Sequence, residues 1–385
     1  MKREKYAFST RAIQAGETVD TVTRALNTPI YQTSTFAFES AQEKESAVDE
    51  GLNWTPDTYF YSRTANPTTA ALEKKLASLE GAEDAIVTAS GMSACATALL
   101  SLLDAGDHLI ASTDLFTITK TLLDDVFKAK GIEVTRIDTN DLAEVTEHIQ
   151  ANTKVIFVES LSNPFMNIAD LSSLSKLAHE KGLYFVVDNT FLSPYLLRPL
   201  EFGADLVIHS ATKYMAGHGD ALAGVVAGDK KLIDQVRYYA DNLGAPISPF
   251  NSWLILRGLR TLHLRMRMHS QNGQAVAEFL QSRPEVEFVL YPGLESYSQR
   301  DVARKFFRDE NGGMISLRLH GGARAMEEFV ANLELSAIAV SLGDVHSLVY
   351  PMPKRDNLIR LSIGCEDTDD LLSDFEQALD KISSK

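Results

Sequence analysis

The stretch Ala204-Asp-Leu-Val-Ile-His-Ser210-Ala-Thr-Lys-Tyr-Met-Ala-Gly-His-Gly-Asp220 sets a lysine, Lys213, just past a short apolar run, Leu206 to Ile208. A lysine in that position can be partly desolvated, which lowers its pKa and makes its amine a usable nucleophile. Ser210 and Thr212 flank it with hydroxyl donors suited to phosphate oxygens. An aldehyde cofactor that carries its own phosphate would use both features. The competing reading is a surface lysine in a loop, and the motif alone does not separate the two.

Four further constellations bear on that choice. Ser90-Gly91-Met92-Ser93 stands where an apolar run gives way to helical spacing, so free N–H groups at a helix start could bind an anion, or Ser90 could be a plain N-cap. Asp188 closes the apolar run Phe185-Val-Val187 and is followed by Asn189 and Thr190. A carboxylate there suits a protonated ring nitrogen, and equally a turn cap. Tyr61 and Arg63 offer a phenol and a guanidinium in a loop, as phosphate donors or as surface turn residues. Arg360 interrupts the apolar run Leu358 to Leu361; it needs a partner, either a substrate carboxylate or a structural salt bridge. The nine histidines show no metal-ligand spacing, and neither a nucleotide-binding glycine fingerprint nor a serine nucleophile elbow is present.

The elements that must position these residues read as an α/β fold. Short apolar runs at Ala85–Thr88, His108–Ala111, Glu133–Ile137, Val155–Glu159, Tyr184–Asp188, Leu206–His209 and Val225–Ala227 alternate with helical spacing at Ala94–Leu103, Thr119–Lys130, Leu142–Gln150 and Leu171–Lys181. That alternation predicts a mostly parallel sheet, with ligands at the C-terminal strand ends. Pro67 opens a helix whose Leu72, Leu76 and Leu79 share a face until Gly81. One long helix is expected over Trp253–Gln281, its Arg257, Arg260, Arg265 and Arg267 on a solvated or subunit-facing side. Strands at Met314–Leu319 and Ile359–Ile363, with helices at Ala323–Asn332 and Asp369–Ile382, predict a smaller α+β unit. The expected division is an N-terminal arm over 1–60 packing on a neighbouring subunit, a large domain over 61–255 and a C-terminal domain over 256–385.

The chain has 385 residues, 45% hydrophobic and 23% charged, with a net charge of −15. These values suit a soluble globular protein and disfavour nucleic-acid or anionic-membrane partners. Cys95 and Cys365 are too few for a disulfide framework or a cysteine metal site. No signal peptide follows Met1-Lys-Arg-Glu-Lys5 and no window approaches a membrane span, so the expected location is the cytoplasm.

Taken in order, the segments Tyr61-Ser-Arg-x-x-Asn-Pro-Thr68, Ser90-Gly-Met-Ser93, Glu159-Ser-x-Ser-Asn-Pro164, Val187-Asp-Asn-Thr-Phe191, Ser210-Ala-Thr-Lys-Tyr214 with Gly217, His218 and Asp220, Arg257-Gly-Leu-Arg-Thr-Leu262, Ser341-Leu-Gly343 and Leu358-Ile-Arg-Leu-Ser362 resemble the transsulfuration (Cys/Met metabolism) enzymes dependent on pyridoxal 5'-phosphate (PLP). Cystathionine γ-synthase, methionine γ-lyase and O-acyl-homoserine sulfhydrylases belong to that family. The resemblance covers nearly the whole chain. It implies a fold type I PLP enzyme, usually a tetramer of two tight dimers, with Lys213 as Schiff-base lysine and proton shuttle. By the same resemblance Asp188 pairs with the pyridine nitrogen and Gly91, Met92, Ser210 and Thr212 hold the phosphate, joined by Tyr61 and Arg63 from the neighbouring subunit. Thr190 belongs to the cofactor set, Asn163 lies near the ring hydroxyl, and Ser341 and Arg360 bind the substrate carboxylate.

Two departures bear on the reaction. Phe116 stands where the family usually has a tyrosine that stacks on the ring, so stacking is kept and the hydroxyl is lost. After Ser341-Leu-Gly343 the chain runs Asp344-Val-His346-Ser-Leu348 and then Val349-Tyr-Pro-Met-Pro-Lys-Arg355, with a short loop before Arg360. His346 is therefore a candidate donor to the leaving group, and the leaving-group pocket is expected to differ. The implied activity is γ-elimination or γ-replacement on a homoserine-type amino acid through a vinylglycine-type intermediate, with a γ-lyase favoured. The alternatives are an O-acyl-homoserine sulfhydrylase or cystathionine γ-synthase, a lyase for an unusual leaving group such as canavanine's oxyguanidine, a β-lyase or aminotransferase, and a non-catalytic protein of the same fold.

Overall fold

The computed structural model describes residues 5–45, 59–307 and 310–382; the expected arm is covered except at 1–4 and 46–58. Seven strands form the main sheet: β1 (Asp84–Thr88), β2 (His108–Ser112), β3 (Glu133–Ile137), β4 (Thr153–Glu159), β5 (Tyr184–Asp188), β6 (Leu206–Ser210) and β7 (Gly224–Gly228). Their order is β1-β7-β6-β5-β4-β2-β3. The pairs from β6 through β3 are parallel, while β7 runs antiparallel to both β6 and β1. The inner strands are apolar on both faces, as Val155–Val158 and Phe185–Val187 show, because helices cover both sides and leave no face for water.

Helix ends explain where the chain turns into the site. Asn66 caps the helix Pro67–Glu80 through its side chain to the Thr68 N–H, and Gly81 ends it at φ +76°. Leu72, Leu76 and Leu79 are fully buried along its inner face. The helix Gly91–Leu100 starts three residues before its apolar spacing does, because Ser90 and Ser93 form a reciprocal capping box. The expected helix over Thr119–Lys130 is a short α-helix, Thr117–Thr121, running into a π-helix, Leu122–Phe127.

A second sheet holds β8 (Val286–Leu290), β9 (Met314–Leu319), β10 (Ala337–Ile338), β11 (Leu348–Met352) and β12 (Leu358–Ser362), in the order β10-β11-β12-β9-β8. Only β10–β11 is parallel. Two corrections to the sequence reading fall here. The single helix over Trp253–Gln281 is two, Pro249–Leu259 and Leu262–Ser282, and Arg265 is buried within the fold, not solvated. The expected loop over Val349–Arg355 begins as strand β11 and turns through 353–357 into β12. Pro351 fits β11 because the short neighbour β10 ends before reaching it, so the missing N–H breaks no ladder.

Candidate active site

Lys213 follows β6 in a tight turn, its N–H donating to the Ser210 carbonyl and its own carbonyl accepting from Gly217. Packing from two sides fixes this turn. The buried Arg265 guanidinium donates to the carbonyls of Tyr214 (2.6 Å) and Gly258 (2.8 Å). Gly217 lies so close to that guanidinium that an added Cβ would fall 2.0 Å from Nη1. On the other side, a Cβ on Gly343 would meet the Tyr214 nitrogen at 2.7 Å. Val345 donates to the Gly217 carbonyl (3.1 Å), binding the 341–345 segment to the lysine turn. Sequence reasoning missed Arg265, whose spacing looks like that of any surface arginine on a helix.

The Lys213 amine is half-buried and donates to Ser341 Oγ at 3.0 Å. Burial first, and then the charge of Arg360, hold it below the ordinary lysine value. Both effects favour the neutral, basic amine. Arg360, on β12, is buried and donates to Asn163 Oδ1 (3.2 Å) and to the carbonyls of Val340 (3.1 Å) and Ser341 (3.0 Å). All these acceptors are neutral, no described carboxylate pairs with the guanidinium, and Nε has no partner. Burial pulls its pKa down to about 10. A structural salt bridge, one of the two sequence readings, is thus absent among the described residues.

Asp188 ends β5, directly beside Glu159 at the end of β4 in the parallel register. Thr190 bonds Asp188 Oδ1 twice, from its N–H (3.0 Å) and its hydroxyl (2.5 Å). The same hydroxyl accepts from the Ser210 N–H at 2.8 Å, tying the ends of β5 and β6 together. Oδ2 has no described hydrogen-bond partner. Burial pushes the Asp188 carboxyl up against those bonds. It pushes Glu159 well up too, with the Asp188 charge adding to the effect. Glu159 Oε1 accepts from the Phe116 N–H at 2.5 Å, which makes Glu159 a part of the site that the sequence reading quoted in a motif but gave no role.

The phosphate candidates also converge. A Cβ on Gly91 would meet Ser210 Cβ at 2.7 Å, so only glycine lets the start of the helix Gly91–Leu100 approach the end of β6. The N–H groups of Gly91 and Met92 have no described partner. Thr212 is bound to Ala223 through both donor and acceptor roles of its hydroxyl (3.3 and 3.1 Å). Phe116 is 43% exposed at the start of the helix Thr117–Thr121. Three expected residues stand apart from this cluster. Arg63 lies over the Tyr61 ring at 5.5 Å, both exposed. His346 is exposed with Nδ1 on Asp344 Oδ1 at 3.1 Å, and no described contact joins it to Lys213. Among the described residues no histidine, cysteine and carboxylate cluster could hold a metal, and no helix is long and apolar enough to cross a membrane.

A strand-end carboxylate lacking a cation, a helix start with two free N–H groups, and a half-buried amine beside an unpaired guanidinium form one site. Together they fit a phosphorylated pyridine aldehyde and an amino acid. This is the class of PLP-dependent enzyme with a mostly parallel sheet.

The Cys/Met metabolism PLP-dependent enzyme family matches residues 9–380, and the chain belongs to it. It is 42% identical to an L-methionine gamma-lyase of Fusobacterium nucleatum subsp. polymorphum, over 99% of this chain and all of the relative. It is 40% identical to a cystathionine gamma-synthase of Mycobacterium tuberculosis over 96% of each. A solved Campylobacter jejuni chain assigned as an O-acetylhomoserine (thiol)-lyase, carrying a pyridoxyl-lysine phosphate, superposes with a TM-score of 0.92. It is 33% identical, with 97% of this chain and 99% of that one covered.

Proposed function

We propose that the enzyme removes or exchanges the γ-substituent of a homoserine-type α-amino acid, with elimination to 2-oxobutanoate and ammonia favoured over replacement. The observation that carries the reading is the pairing of a depressed Lys213 amine with Ser341 (3.0 Å) beside the unpaired Arg360 guanidinium. PLP, when bound, supplies the electron sink for charge developed at Cα. Asp188 would face its ring nitrogen, and Ser210, Thr212 and the N–H groups of Gly91 and Met92 would hold its phosphate. Asn163 and Thr190 would complete the cofactor contacts, with Phe116 covering the ring.

Arg360 and Ser341 orient the substrate carboxylate, which fixes Cα near Lys213. The Lys213 amine takes the Cα proton and carries protons on to the positions that γ-chemistry requires. Sequence likeness to a γ-lyase and a γ-synthase supports γ-chemistry without separating elimination from replacement. The enzyme acts as a homo-oligomer, a tetramer of two dimers. Tyr61 and Arg63 of one protomer serve the site of its neighbour, a reading supported by their exposure and by the lack of any described contact between them and the Lys213 cluster.

A panel of γ-substituted homoserines, scored for 2-oxobutanoate, pyruvate and new amino acids, tests the reading. The expected product is 2-oxobutanoate or a γ-exchanged amino acid. Pyruvate from β-substituted substrates alone would overturn it. Lys213→Ala is expected to lose turnover by at least about a thousandfold, and to lose the visible absorbance of the lysine-bound cofactor.

A further inference from the structure

Arg360 sits in a row of three side chains that crosses the second sheet. The antiparallel registers set Tyr350 of β11 opposite Arg360 of β12, and Arg360 opposite Ser316 of β9. Alternation along the strands explains which way the row faces. Val349, Ile359 and Leu361 are buried in the hydrophobic core, so their neighbours Tyr350 and Arg360 project from the opposite face. Two members of the row dock on the segment that follows β4. Ser316 Oγ donates to the Pro164 carbonyl at 2.6 Å, and Arg360 donates to Asn163 Oδ1. The third, Tyr350, is half-buried, and the Arg360 guanidinium lies over its ring at 5.1 Å.

A buried guanidinium needs partners, and the kind of partner decides what charge is left for a ligand. The hydrogen-bond acceptors of Arg360 are an amide oxygen and two carbonyls, all neutral. The negative face of an aromatic ring is a further partner, one that attracts the cation without neutralising it. That attraction grows where water is excluded, as it is around the buried Arg360. A carboxylate at position 350 would hold the guanidinium more strongly, and it would occupy the fork that a ligand carboxylate needs. An aliphatic residue there would leave one flank of the guanidinium without support. A ring supports the cation and does not compete with the ligand.

We propose that Tyr350 is a positioning residue for the α-carboxylate of the substrate, acting through Arg360: its ring holds the guanidinium in place and leaves the charge free. This rests on the reading that Arg360 orients that carboxylate. It also gives a role to the 349–355 segment, where the chain departs from the family pattern. Through Tyr350 that departure bears on the α-carboxylate end of the substrate, not on its leaving group.

The holoenzyme is titrated with L-norleucine and with L-norleucinamide, and the absorbance change of the lysine-bound cofactor reports binding. The two ligands differ only at the carboxyl end, and neither carries a γ-leaving group. The wild-type enzyme is expected to bind the acid about thirtyfold or more tighter. Tyr350→Phe keeps the ring and should keep that preference within about twofold, whereas Tyr350→Leu should cut it about fivefold. Tyr350→Glu should bring it near unity while its thermal midpoint stays at or above that of Tyr350→Leu. Loss of packing alone would not produce that split. A preference that survives in Tyr350→Glu, or that Tyr350→Phe and Tyr350→Leu lower equally, overturns the proposal; the glutamate and phenylalanine variants decide it even where Tyr350→Leu fails to fold. Equal binding of the two ligands by the wild-type enzyme overturns the carboxylate role of Arg360, and the proposal with it. Neither ligand can undergo γ-elimination, so these outcomes stand apart from whether the homoserine panel yields 2-oxobutanoate.

Discussion

At the level of single residues, the proposed reading divides the site into groups that would hold the cofactor and substrate and one position that would set the difficulty of the leaving step. Lys213 is made basic by burial and by Arg360. Phe116 offers only a ring, and its backbone is tied to Glu159 at 2.5 Å. Without a phenol at that position, a leaving group must depart with little proton assistance or draw it from Lys213. Phe116→Tyr is therefore expected to raise kcat/KM for thiolate leaving groups by about tenfold or more, in line with general acid catalysis, and to change good leaving groups far less. Parallel assays of a thioether and an acyl ester read this out. Equal effects on both would mean that residue 116 serves only to cover the ring. The readings of Lys213 and Asp188 were open to sequence reasoning because they lie just past and at a strand end, whereas that of Phe116 came only from the family resemblance. Glu159 went without a role because a carboxylate that acts through a neighbouring backbone N–H has no spacing to reveal it.

Among the elements, the buried strands were the most legible. A strand enclosed on both faces must be apolar throughout, and Val155–Val158, Phe185–Val187 and Leu206–Ile208 carry that mark in the chain itself. The break between Leu259 and Leu262 was not legible, because no proline marks it and Gly258 lies inside the first helix, where a glycine is tolerated without ending it. It depends on tertiary contacts, with Gly258 pressed to 2.3 Å from the Ala216 carbonyl for any added Cβ and Arg265 turned inward. The same helix, Leu262–Ser282, carries His269, fully buried, with Nδ1 2.7 Å from the Ile363 carbonyl and its ring edge-on to Tyr214. A carbonyl accepts, so Nδ1 carries the proton.

Burial lowers the His269 pKa to about 4, against about 6.5 in an unfolded chain. Between those values the unfolded state binds more protons, so this contribution is fully present above about pH 6.5 and lost as pH falls towards 4. The loss amounts to about 3 kcal/mol in all. His269→Gln removes the titration while keeping a donor. Thermal midpoints of the holoenzyme at pH 7, 6 and 5 are expected to show the stability gap between wild type and variant narrowing as pH falls. A gap that stays constant would show that His269 does not titrate on unfolding.

At the scale of the molecule, the N-terminal residues connect the fold's interior to its surface. Glu17 joins Lys75 (2.8 Å) and Arg260, and Lys75 also donates to the Ala12 carbonyl at 2.7 Å, so the start of the chain is held by a buried charged network. Burial raises the Glu17 carboxyl, but Arg260 and Lys75 outweigh it and hold the group below its ordinary value. Beyond that anchor, Val22 (88% exposed), Leu26 (79%), Tyr61 (42%) and the Arg63 guanidinium face outward. Apolar side chains so exposed suit a surface covered by a second copy. If Arg63 serves the neighbour's site, a dimer pairing one Lys213→Ala chain with one Arg63→Ala chain has one defective site that bears both changes and one intact site that bears neither. Co-refolding equal amounts of the two inactive variants gives about half hybrid dimers with one working site in two. Recovered activity should then approach about a quarter of wild type by random pairing. Each variant refolded alone should stay inactive. If the mixture recovers nothing while hybrids are demonstrated by differential tags, Arg63 acts within its own chain and the shared-site arrangement is wrong.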